Sequence, residues 1–155
     1  MSVLEKLNKT SLELRKSRDD LAKSLSVVVS STTQIAKDRA TDKSNFTVTD
    51  DDAIQAIRRA VKQVEDTINI LATNHAEDGE LYVRSCRELS ILKGLLPQSP
   101  SPESISQFVK GFLANTDSEK SIKLMGPIMK GLVDMHGTAL DRSFASQVIK
   151  AELSA

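Results

Sequence analysis

Leucine, isoleucine and valine recur every three to four residues along most of this 155-residue chain, with charged residues between them. That spacing places apolar side chains on one side of a helix. Leu4, Leu7, Ser11 and Leu14 form one such face. Leu21, Leu25, Val28, Thr32 and Ile35 form a second. The stretch LSVVVSS within it is rich in β-branched residues, which lose rotamer freedom in a helix. Helical spacing on both sides of it nonetheless predicts a helix. The clearest stripe is Ile54, Ile57, Val61, Val64, Ile68 and Leu71, and Leu81, Ser85, Leu89, Leu92 and Leu96 predict a fourth helix. Ile105, Phe108, Val109, Phe112 and Leu113 give a short fifth one, and Phe144, Val148, Ile149 and Leu153 mark the last.

Punctuation separates these stripes. Ser2 with Glu5, and Thr49 with Asp52, read as capping boxes, in which each side chain satisfies a free N–H at a helix start. Asp19 and Asp20 predict the start of the second helix. Residues 39–49, RATDKSNFTVT, predict a loop, and NHAEDGE a turn or a polar part of a longer helix pair. Pro97 ends the fourth helix, because proline disfavours helical geometry in the residue before it. PQSPSPES is the boundary between two domains, predicted at 1–96 and 101–155, with Ser101 as N-cap and Pro102 at the first helical position. ANTDSEKS, residues 114–121, is turn-like. Gly126 and Pro127 open a short helix that Gly137 stops in the left-handed conformation. Gly131 lies inside that helix and suits a close helix–helix contact. Asp141 caps the last helix.

Composition agrees with helices. Aromatic residues make up 3% of the chain and Trp is absent, so the core is built of Leu, Ile, Val, Met and Ala, which suits helix packing. Lys and Arg number 21 and so do Asp and Glu, which leaves no overall electrostatic attraction to nucleic acid. Residues 1–40 alone are mildly basic, with eight cations against five anions. Cys86 is the single cysteine, which excludes an internal disulfide and fits a reducing cytoplasm. No stretch approaches the roughly 20 apolar residues of a membrane span. The chain is therefore expected to be soluble and cytoplasmic, without a membrane partner.

Candidate chemistry is sparse. With His75 and His136 the only histidines and no Cys/His cluster, no metal site is expected. His136 reads as a helix-end residue, and Cys86 as a small packed hydrophobe without an activating base. Asp50, Asp51 and Asp52 are better suited to a helix start than to a metal. Gly126, Gly131 and Gly137 fit no phosphate-binding loop, so no cofactor is expected. Arg58, Arg59 and Lys62 make a small basic patch on a helix face. Met125, Met129 and Met135 read as core filler or, alternatively, as an adaptable partner groove.

Four stretches together resemble the YqeY family, also called GatB/YqeY domain proteins. They are SVLEKL at the start, AVKQ at 60–63, ELSILKGLLPQ at 88–98, and MGPIMKGL with GTALDRSFASQVIKAEL at 125–153. The resemblance spans nearly the whole chain. It implies an all-α fold, an N-terminal helical bundle followed by a small three-helix C-terminal domain. It also implies that the small domain is similar to the tail of the B subunit of the glutamine-dependent aminoacyl-tRNA amidotransferase, which helps engage tRNA.

The family's label of amide transfer from glutamine is inherited by resemblance alone, and no catalytic residue is assigned. The expected role is that of an accessory, tRNA-associated protein without autonomous catalysis. A helical protein–protein adaptor is the alternative, so tRNA and a protein partner both stay open. If RNA is engaged, Lys123, Lys130, Arg142 and Lys150 around the small domain are the expected contacts.

Overall fold

The computed structural model describes residues 1–116 and 119–154. Among them the chain forms seven α-helices and two short 3-10 turns, and no strand. It divides into two compact units, Met1–Pro97 and Gln98–Ala155.

The first unit holds α1 (Val3–Lys16), α2 (Ala22–Arg39), α3 (Asp50–Thr73) and α4 (Glu80–Leu95). The central helix is α3, which packs against the other three. Their faces meet in a core of Leu7, Leu21, Leu25, Val28, Ala53, Ala56, Ile57, Leu92 and Leu95. Both capping boxes are present. Ser2 Oγ accepts from the Glu5 N–H while the Glu5 carboxylate accepts from the Ser2 N–H. Thr49 and Asp52 do the same at α3.

The aspartates at the start of α3 do more than cap their own helix. The Asp50 carboxylate accepts from the backbone N–H groups of Val3 at 3.2 Å and Leu4 at 3.0 Å. Those are first-turn donors that have no partner within α1. Asp52 is buried and takes two bonds from Arg39, Nε to Oδ1 at 3.1 Å and a terminal nitrogen to Oδ2 at 2.9 Å. The Arg39 guanidinium holds the Asp52 carboxyl down to about 2. It thereby ties the end of α2 to the start of α3, across the loop that the sequence predicts.

Several expectations need correction. The second helix starts at Ala22 rather than at Asp19 and Asp20. The α1–α2 corner is a Schellman motif in which Arg18 (φ 54°) takes the left-handed position usually filled by glycine. Asp19 then accepts from the Leu21 N–H at 2.9 Å, a local turn bond that delays the helix. His75 (φ 54°) occupies the same position at the end of α3. On α4 the buried leucines are Leu92 and Leu95, with Leu96 half-buried, and Leu81 is 53% exposed. On α2, Ala36 is buried and Ile35 half-buried. Helical spacing finds a face but does not choose between adjacent residues on its edge.

The second unit holds α5 (Pro102–Ala114), α6 (Met125–His136) and α7 (Arg142–Ser154) around Ile105, Val109, Ile128, Leu132, Leu140, Ala145 and Ile149. Ser101 caps α5 with Pro102 in its first turn. Asp117 and Ser118, in the turn expected at 114–121, and Ala155 lie outside the described residues. A 3-10 turn, Ile122–Leu124, precedes α6, and Pro127 sits in the first turn of α6, where its missing N–H costs nothing. Gly131 lies under the Phe108 ring, the close contact that its position in the helix suggests. Gly137 ends α6 with φ 56° and ψ −131°, a positive-φ conformation outside the left-handed helical well that was expected. Asp141 Oδ1 accepts from the Ser143 and Phe144 N–H groups and starts α7. On α7 Ala145 is buried along with Ile149, and Phe144 is exposed. Ser106 of α5 hydrogen-bonds the Glu152 carboxylate of α7.

Candidate functional site

The four cations expected to contact RNA all lie in the second unit. Lys123 sits in the 3-10 turn before α6, Lys130 on α6, and Arg142 and Lys150 on α7. All four are exposed. The fold puts two of them on α6 and its entry turn and two on α7, and these helices pack against each other. Every ion pair found among the described residues belongs to the first unit, so none of these four side chains is ion-paired with a carboxylate of the described residues. Residues 120–133 hold three lysines and no acidic residue. The arrangement can offer mobile point charges to an anionic polymer. Of the four, Arg142 alone carries a planar donor fork.

The other candidates resolve into structure. Asp50 and Asp52 serve helix starts, and no group of His, Cys, Asp and Glu able to hold a metal exists among the described residues. Arg59 lines a groove of about 420 Å³ shared by α2, α3 and α4, together with Ser24, Ser31, Gln63 and Glu88. Glu88 offsets its charge there, so the Arg58–Arg59–Lys62 patch is not a uniform phosphate site. Cys86 is half-buried on α4, one turn after Tyr82. The charge of Cys86 and burial push the Tyr82 phenol up. His136 is the last residue of α6, as expected. Met125 and Met129 are half-buried against the second core, while Met135 is 63% exposed and so is not core filler.

Sequence reasoning missed the ion-pair cluster at the α1–α2 corner. Arg87 bonds both Asp19 and Asp20, and Arg84 pairs with Asp20 at 3.4 Å. Arg87 holds the Asp19 carboxyl down to about 2. These partners lie more than 60 residues apart, and no local pattern signals them. No helix among the described residues is long and apolar enough to cross a membrane.

Comparison with known proteins agrees with the four resembling stretches and extends them. No curated protein matches the chain. A family profile described as Yqey-like protein matches residues 4–153, which takes in both helical units. The chain belongs to the Yqey-like protein family.

Proposed function

We propose that this protein is a non-catalytic accessory factor that engages tRNA through its C-terminal unit. The observation that carries the reading is the set of exposed cations Lys123, Lys130, Arg142 and Lys150, which form no ion pair among the described residues. The family resemblance, which implies a unit similar to the amidotransferase B-subunit tail, favours tRNA as the RNA class and a relation to glutamine-dependent amide transfer.

The test is a binding titration of the whole chain against total tRNA and bulk RNA at two salt concentrations. Selective, salt-sensitive binding of tRNA supports the reading. Absent or unselective binding sinks it.

A second reading, a helical protein–protein adaptor, draws on Met135, exposed beside the half-buried Met125 and Met129. A flexible thioether face suits an adaptable partner. Capture of a protein partner that survives nuclease and high salt, and is lost in Met135→Ser, separates it from the first.

A further inference from the structure

The helices of the first unit are unequal. α3 has 24 residues, against 14 in α1 and 18 in α2. At about 1.5 Å per residue, α3 outruns α1 by roughly 15 Å. The near ends are aligned, because Asp50 binds the start of α1 and Arg39 at the end of α2 binds Asp52. The far ends are therefore not. The α1–α2 corner meets α4 at Arg84 and Arg87, and the α3–α4 hairpin continues past it.

The apolar stripes continue past it too. Ile68 and Leu71 prolong the Ile57–Val61–Val64 face of α3, and Leu81 lies one turn before the buried Ser85 on α4. None of the three belongs to the core, which includes no residue between Glu65 and Ser90. Leu81 is 53% exposed, and Ile70 and Val83 on the same projecting end are 61% and 62% exposed.

The charge on this end has one sign. Residues 63–83 contain five acidic residues, Glu65, Asp66, Glu77, Asp78 and Glu80, and no Lys or Arg. Glu65 is paired with Lys93 at 2.7 Å. Asp66, Glu77, Asp78 and Glu80 are exposed and form no ion pair among the described residues.

We infer that the projecting end of the α3–α4 hairpin docks a basic amphipathic segment of a partner protein. Its leucine or isoleucine side would cover Leu71 and Leu81, and its Lys or Arg residues would meet Glu77, Asp78 and Glu80. Apolar surface left open at Leu81, Ile70 and Val83, and in part at the half-buried Ile68 and Leu71, supplies the affinity, and the unpaired acids select a cationic partner and repel nucleic acid. The inference concerns a different unit from the RNA-binding reading and does not rest on it.

The test uses the full chain and a labelled helical peptide with leucine on one face and lysine on the other. Two control peptides carry glutamate for lysine, or serine for leucine. Micromolar binding of the leucine–lysine peptide is expected, weakened about tenfold or more in each control. The same loss is expected in Leu81→Ser and in the double variant Glu77→Lys, Asp78→Lys. These side chains are exposed, so helical content should hold and tRNA binding should not change. Equal affinity for wild type and both variants, or no binding, overturns the inference. So does a wild-type dimer in sedimentation that Leu81→Ser dissociates, since the occupant is then a second copy.

Discussion

The ring of Phe108 lies on Gly131, so close that a Cβ placed at 131 would sit 2.8 Å from Cζ. Gly131 is thus the point where α5 and α6 approach. Alanine in an exposed helix interior normally gains about 1 kcal/mol over glycine. Here that gain meets an overpacking cost of about 1–3 kcal/mol. Gly131→Ala should therefore destabilise the C-terminal unit by about 1 kcal/mol, measured by urea unfolding. Gly111→Ala on α5 is the control, because its Cβ meets nothing within 4 Å, and it should stabilise. Phe108→Leu in the Gly131→Ala background should restore part of the loss.

Among the described residues, two positions carry left-handed backbone without glycine, Arg18 and His75. The conformation costs a residue with a Cβ roughly 1–2 kcal/mol. Glycine's greater freedom in the unfolded chain offsets about 0.5–1 kcal/mol of that. His75→Gly should raise the stability of the N-terminal unit by about 0.5 kcal/mol, read as a higher midpoint of thermal unfolding. Gly137→Ala should act oppositely on the C-terminal unit, at about 1–3 kcal/mol, because its φ and ψ suit glycine alone.

Acid sensitivity of the N-terminal unit should follow Asp52 and Asp19. Both carboxyls are held at about 2 in the folded chain, against a reference value of 3.8. The unfolded chain binds more protons between those values. The stabilisation is thus complete above about pH 4–5 and is lost as pH falls through about 2. Asp52→Asn should cost about 1–3 kcal/mol near neutrality, through its charged bonds to Arg39. The gap between variant and wild type should close on acidification, and a gap independent of pH would rule out the ionised carboxylate as its source.

The RNA reading predicts a salt slope. Replacing Lys123, Lys130, Arg142 and Lys150 together by alanine should weaken tRNA binding strongly. It should also flatten the dependence of log K on log salt by up to about 0.7–0.9 per contact removed. Loss of affinity with an unchanged slope would place the contacts elsewhere.

Much of this fold is legible in the sequence because its signals are local. Ser2 with Glu5, Thr49 with Asp52, Ser101 with Pro102, and Asp141 each announce a helix start within four residues, and each forms as read. The Schellman corners at Arg18 and His75 are illegible because neither position holds the glycine that marks such a helix end. Arg39–Asp52 and Arg87–Asp19 join elements across loops, and charge alternation names no partner at that range. The exposure of Leu81 was hidden because a stripe shows which face is apolar and not where the neighbouring helices end. The candidate cations could be named from the sequence, but their freedom from ion pairs needed the packed unit.

The Asp50 carboxylate, bound to the amides of Val3 and Leu4, makes two protons into clocks. Amides in the first turn of a helix ordinarily trade with solvent as fast as an unfolded chain does. These two can trade only when the Asp50 carboxylate at the start of α3 lets go of them. In deuterium their exchange should be slow, and the single change Asp50→Ala should release both together. Two signals at the very beginning of the chain thus report an opening that takes place around residue 50.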